Sequence, residues 1–240
     1  GGQPLEYVVM PALCLPEARA WQVGTHREGL RRGSKSVPQL GDLAELIATG
    51  CSEGVLARQE LVSMLPVLAL DCEQGHRVLD MCASPGSKTM QLLEKVTEPG
   101  RDEGELNMSV GLVVANDANP QRAFLLRDTV SRHNRNTPER AVLVVTCNYG
   151  EELPIPTFTL PSTGELVEGY DRVLADVPCS GDGTIRKAAD ILRRWTPEVA
   201  NQLHSIQLEI ALRGITLLAV GGVMVYSTCS LNPAENESVV

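Results

Sequence analysis

The 240-residue chain has no apolar run approaching the roughly 18 residues a membrane span needs, and no basic-then-apolar leader. Neither a transmembrane helix nor a secretory signal is expected, so the protein reads as intracellular and away from membranes. Positive charge is also in short supply. Lys and Arg number 21 against 30 Asp and Glu, a net charge of -9, so a global basic field for nucleic acid is missing and any such surface must be local. The seven cysteines, at 14, 51, 72, 82, 147, 179 and 229, include no C-x-x-C pair. That spacing argues against zinc ribbons and thioredoxin-type sites, and no metal is expected. Internal repeats are absent too, which removes solenoids and propellers.

What remains is ordinary for a folded domain: 43% apolar and 21% charged residues. Residues 1–42 read as an irregular N-terminal extension carrying the basic cluster Arg27, Arg31, Arg32 and Lys35. Residues 43–240 read as one domain. Helical spacing runs through Leu43, Leu46 and Ile47, then through Leu61, Leu65 and Leu68, with Pro66 expected to bend the second helix. Five Val- and Leu-rich runs follow, at 77–81, 111–116, 141–146, 171–177 and 223–227. They are continuous rather than alternating, as in strands covered on both faces. The segments 87–96, 121–133 and 197–220 are long enough for crossover helices. The expected fold is α/β, an open, doubly wound sheet.

In such sheets ligands bind outside the carboxyl ends of the strands. The chemically unusual residues collect there. The first strand runs into a loop of Cys82, Ala83, Ser84, Pro85, Gly86, Ser87 and Lys88; Asp117, Asn148, Asp176, Cys179 and Cys229 follow the other four. Gly86 would let backbone approach a ligand closely, and the next helix's first amides favour an anionic group. Ser87 separates Gly86 from Lys88, so this is not a phosphate-binding P-loop, and no GxGxxG is present. Asp117 stands where an acceptor bonds ribose hydroxyls in nucleotide folds. Taken alone, the loop is equally a turn, and Asp117 is equally a helix N-cap. Five of the cysteines read as reduced, buried small hydrophobes. Cys179 and Cys229, at strand ends beside glycine, read as thiols exposed in the crevice, either a nucleophilic site or a redox pair.

The segments LDMCASPGSKT, ANDANPQR, DRVLADVPCSGDGT and GGVMVYSTCSLNPAENE closely resemble the Nop/Sun-domain RNA (cytosine-5) methyltransferases. RQELVSMLPVLALD and RKAADILRRW resemble the eukaryotic tRNA-modifying branch. The resemblance implies a Rossmann-like class I methyltransferase sheet, expected to lack its last strands in a chain that reads as a fragment. It also implies S-adenosylmethionine as donor, RNA and most of all tRNA as partner, action as a monomer, and location in the nucleus, nucleolus or cytoplasm. By motif match Cys229 would add to carbon 6 of cytosine, and Cys179 would assist loss of the carbon 5 proton and release of the enzyme. Asp176 and Lys88 would hold the base. Residues 82–88, Asp117, Asn148 and Asp176 would hold the donor. Arg186, Lys187, Arg193, Arg194 and Trp195 are the expected phosphate and stacking contacts, with 27–35 and 122–135 as further basic stretches. Two departures stand out: Asn148 where relatives place aspartate, and CASPG where CAAPG is usual. A non-catalytic RNA-binding or scaffold protein on the same fold is the alternative, and thiol redox sensing a third.

Overall fold

A computed structural model describes residues 9–11, 21–23, 38–97, 110–134, 141–159 and 163–240. The chain divides into two compact units, Gly1–Leu61 and Val62–Val240. In the first, strand β1 (Val9–Pro11) pairs antiparallel with β2 (Trp21–Val23), and helix α1 spans Pro38–Glu53. Pro38 opens the helix, because a first-turn position needs no amide donor, and the break between units falls at residue 61. The cluster Arg27, Arg31, Arg32 and Lys35 lies outside the described residues.

Helix α2 (Leu61–Ala69) leads into the second unit and continues through Pro66. Then come β3 (Arg77–Asp80), α3 (Ser87–Thr97), β4 (Gly111–Asn116), α4 (Pro120–Asn134) and β5 (Ala141–Thr146). A small antiparallel pair, β6 (Thr157–Thr159) and β7 (Leu166–Glu168), precedes β8 (Tyr170–Asp176). The short α5 (Ile191–Arg194), the long α6 (Pro197–Thr216) and β9 (Leu218–Ser227) follow. The helix expected over 197–220 stops at Thr216, four residues early, and the strand starts at Leu218. A register irregularity opposite Tyr170 to Arg172 absorbs the extra length.

The main sheet has the order β5-β4-β3-β8-β9, and every pairing is parallel. Side chains of successive residues divide between its faces. Val78, Val113 and Leu174 pack with Leu92, Leu93 and Val96 of α3, whereas Leu79, Val173 and Ala175 pack with Ile210 of α6 and with Leu217. Leu126 and Val130 of α4 meet Ala115 on the α3 side. Helices thus cover both faces, in the doubly wound, Rossmann-like arrangement expected. The outer strand β5 departs from the expected full burial, since Val142 and Val144 are exposed.

Strand order reverses between β3 and β8, the first and fourth strands of the sheet in chain order. Such a switch opens a crevice at the carboxyl ends. Register sets those ends level: Asn116 pairs with Thr146, and Asp176 with Ser227.

Candidate active site

Asp176 closes β8 at the middle of the crevice. Lys88, from the first turn of α3, donates to Asp176 Oδ2 at 2.6 Å, and Ser227 at the end of β9 donates its hydroxyl to Asp176 Oδ1 at 2.7 Å. Three elements that are distant in sequence thereby meet on one carboxylate.

Directly beyond, Cys179 follows β8 and Cys229 follows β9. Their sulfurs lie 3.1 Å apart, and the Cys229 amide donates to Cys179 Sγ at 3.3 Å. Cys229 is exposed and Cys179 half-buried. The shared S–H splits the pair: accepting it holds the Cys229 thiol below its ordinary range, with burial and Asp176 opposing. Donating it pushes Cys179 strongly up, and burial adds to this. The arrangement presents Cys229 as the thiolate and Cys179 as the holder of the proton. Gly183 donates its amide to the Cys229 carbonyl at 3.0 Å, and a Cβ there would stand 2.8 Å from that oxygen. Only glycine fits where the two loops pass.

On the other side of the crevice, Asn116 ties the loops together. Its buried Nδ2 donates to the carbonyls of Met81 (3.0 Å) and Asn148 (2.9 Å), while Oδ1 accepts from the Thr146 hydroxyl and the Asn148 amide. Ala83 donates its amide to the Asn116 carbonyl at 2.7 Å. Asp117 is 4% exposed. It accepts from the Ser84 amide at 3.3 Å and the Asn119 amide at 3.0 Å, and pairs with Arg122 at 3.0 Å. Arg122 also donates to the Ser84 carbonyl at 3.1 Å, so it fastens the 82–88 loop to Asp117. Capping of α4 falls to Asn119, whose Oδ1 accepts from Gln121 and Arg122. The N-cap reading of Asp117 is thereby corrected, because a neighbour does that work.

Beneath the loop, burial pushes Asp80 up to about 7, since the bond from Thr89 (2.7 Å) serves only one oxygen and Oδ1 has no partner among the described residues. Burial likewise pushes Cys82 up to about 12, with Asp80, Asp117 and Asp176 adding to it. That thiol stays protonated and unreactive.

Several expectations change. Gly86 has φ +106, and a Cβ there would meet Val130 Cγ1 at 2.9 Å and Leu126 Cδ1 at 3.0 Å. Its freedom therefore lets α4 pack closely against the loop. Cys147 is exposed, not a buried hydrophobe, because β5 ends the sheet. Asn148 is anchored through its backbone while the residue itself is exposed at the rim. Trp195 is half-buried, and its indole N–H donates to Ser180 Oγ at 2.9 Å, so it braces the Cys179 loop. Arg186, Lys187, Arg193 and Arg194 are exposed on the flank, with Arg194 paired to Asp190. Ser227 is a site residue that sequence reasoning did not single out, and Arg122, expected only within a basic stretch, joins the site. The signal in each case is a polar residue at the very end of a strand or opening the next helix.

A family model described as 16S rRNA methyltransferase RsmB/F matches residues 67–240. The chain belongs to the RsmB/F methyltransferase family. Among curated relatives, a multisite-specific tRNA:(cytosine-C(5))-methyltransferase of Schizosaccharomyces pombe is 42% identical over 94% of this chain and 34% of its own length. A tRNA (cytosine(34)-C(5))-methyltransferase of Drosophila melanogaster is 40% identical over 95% of this chain and 29% of its own. This chain therefore spans about a third of the curated relatives it matches. A solved structure described as a methyltransferase homolog protein from Pyrococcus horikoshii superposes with a TM-score of 0.58, at 26% identity, covering 94% of this chain and 58% of that one.

The donor of such a family is S-adenosylmethionine, which carries a sulfonium, an ammonium and a carboxylate. The crevice offers it carboxylate acceptors, Asp117 and Asp176, at the strand ends flanking the 82–88 loop. Residues 82–88 with Asp117, Asn148 and Asp176 would hold it, the buried Asp117 offering its acceptor to the ribose. Among the described residues no cluster of His, Cys, Asp and Glu is arranged to hold a metal.

Proposed function

We propose that this chain forms the catalytic core of an S-adenosylmethionine-dependent RNA (cytosine-5) methyltransferase acting on tRNA. The observation that carries the reading is the pair of thiols 3.1 Å apart beside the Lys88–Asp176 ion pair. tRNA is chosen because the curated relatives just described are named for it.

Carbon 5 of cytosine is a poor nucleophile. In the proposed sequence the Cys229 thiolate bonds to carbon 6, which breaks the 5,6 double bond and makes carbon 5 electron-rich. Bound S-adenosylmethionine supplies an electrophilic methyl group at its sulfonium. Lys88 and Asp176 hold the polar edge of the base, and the Lys88 ammonium offsets the negative charge that addition places on the ring. Once Cys229 is bonded to carbon it no longer accepts the Cys179 S–H, so Cys179 can lose its proton to solvent. As a thiolate it then removes the carbon 5 proton; the 5,6 double bond re-forms and the bond from Cys229 to carbon 6 breaks. The target base must first leave its stack, at a cost of a few kcal/mol that is smallest in loops. Exposed Arg186, Lys187 and Arg193 are the proposed phosphate contacts.

Incubation with tRNA and methyl-labelled donor tests the reading. Label is expected at carbon 5 of cytosine, Cys229→Ala is expected to abolish it, and Cys179→Ala to accumulate a covalent protein–RNA adduct. Label that survives Cys229→Ala would refute the mechanism.

A further inference from the structure

Glu235 lies in the short helical turn Pro233–Glu235 that follows the Cys229 loop, and its side chain is fully buried. A buried carboxylate is stable only when its lone pairs are filled. Here Oε1 accepts from the hydroxyls of Ser180 (2.5 Å) and Ser230 (2.7 Å), with Asn232 Nδ2 at 3.5 Å. Oε2 accepts from the Ser180 amide at 2.8 Å and from Gln207 Nε2 at 3.0 Å. These hydrogen bonds, led by those from Ser180, hold Glu235 below the ordinary carboxylate range against the effect of burial.

The donors have a pattern. Ser180 is the residue after Cys179, and Ser230 the residue after Cys229. One carboxylate thus grips the two thiol-bearing loops, 50 residues apart in the chain, each at the position next to its sulfur. The grip is anchored from behind: Gln207 of α6 also donates to the Pro178 carbonyl at 2.9 Å, and Trp195 donates to Ser180 Oγ. Tyr226 donates its hydroxyl to the Glu235 carbonyl at 2.7 Å, and His204 Nδ1 lies 2.7 Å from the Ala234 carbonyl, so the turn itself is held.

We propose that Glu235 is a positioning residue that sets the separation of the Cys179 and Cys229 sulfurs by binding both loops. It touches no reacting atom. This deepens the covalent reading of Cys229 and rests on it, but its test does not need RNA.

The test follows the pH–rate profile of iodoacetamide alkylation at Cys229 by peptide mass spectrometry in the full chain, with exposed Cys147 as internal reference. In Glu235→Ala the loops part and the S–H bond to Cys229 weakens. The midpoint is expected to rise by about one pH unit, with alkylation about fivefold slower at neutral pH. Glu235→Gln keeps the shape and an acceptor, and is expected to restore most of the rate. Adding Cys179→Ala to Glu235→Ala should change little more, because both act on one contact. An unshifted Cys229 profile in folded Glu235→Ala protein overturns the proposal. Should that variant not melt cooperatively, Ser230→Ala removes a single donor, and an unshifted profile there overturns it as well. Failure of the wild type to methylate tRNA would refute the enzymatic reading instead, leaving the thiol profile to decide the role of Glu235.

Discussion

Asp80 should make the stability of this protein fall as pH rises from about 4 to about 7. It sits at the end of β3 with 1% exposure; Thr89 donates to one oxygen, and the other has no partner among the described residues. Ionisation in that setting is costly, which is why burial moves the group from its ordinary 3.8 to about 7. Between those values the folded state holds a proton that the unfolded chain has released. Stability from this group is therefore fully present below 3.8 and is lost as pH climbs through the folded value. About three units at 1.36 kcal/mol each place the loss at no more than about 4 kcal/mol. Asp80→Asn retains the size and an acceptor for Thr89 but does not titrate. Urea unfolding of both proteins at several pH values should give a stability difference that grows in favour of the variant up to about pH 7 and then levels. Every other titrating group is common to the two and cancels. A difference that stays constant across the range would refute the argument.

Ser227→Ala removes the donor to Asp176 Oδ1. A hydrogen bond to a charged group is worth about 1.5–3 kcal/mol, so methyl transfer should fall by about tenfold or more in a steady-state assay; an unchanged rate would dismiss the contact. Gly183→Ala places a methyl 2.8 Å from the Cys229 carbonyl, backbone that cannot yield cheaply. Adduct formation with tRNA should be lost, as judged on denaturing gels, and retention of wild-type yield would count against the close passage. Arg122→Ala frees the 82–88 loop from Asp117. Because Arg122 is half-exposed, calorimetry should register only a several-fold weaker affinity for S-adenosylmethionine, and no change would remove Arg122 from the site.

Much of this protein can be read along the chain because its information there is local and periodic. Runs such as 112–115 and 173–175 are wholly apolar because helices cover both faces of the inner strands, so a parallel sheet with crossover helices follows from pattern alone. The positions of Lys88, Asp117, Asp176, Cys179 and Cys229 at strand ends follow as well, since parallel strands all point their carboxyl ends the same way. Element limits were less accessible. Leu218 starts a strand because of tertiary fit, and carries no local signal strong enough to mark the residue.

Pairing across the crevice is another matter. That Asp176 is held by both Lys88 and Ser227, that Arg122 fastens Ser84 to Asp117, and that one carboxylate at position 235 grips the residues behind both thiols are facts of strand order and register. So is the division of labour between the two sulfurs, which depends on a 3.1 Å approach across 50 residues of chain. Gly86 shows the same limit: a glycine in a loop is visible in a string of letters, but whether it makes room for a ligand or for Val130 depends on which helix packs behind it. Short-range preferences govern which segments become strands and helices; the contacts that tune acidity and hold the reactive atoms arise between segments, and exist only once the sheet has brought its ends together.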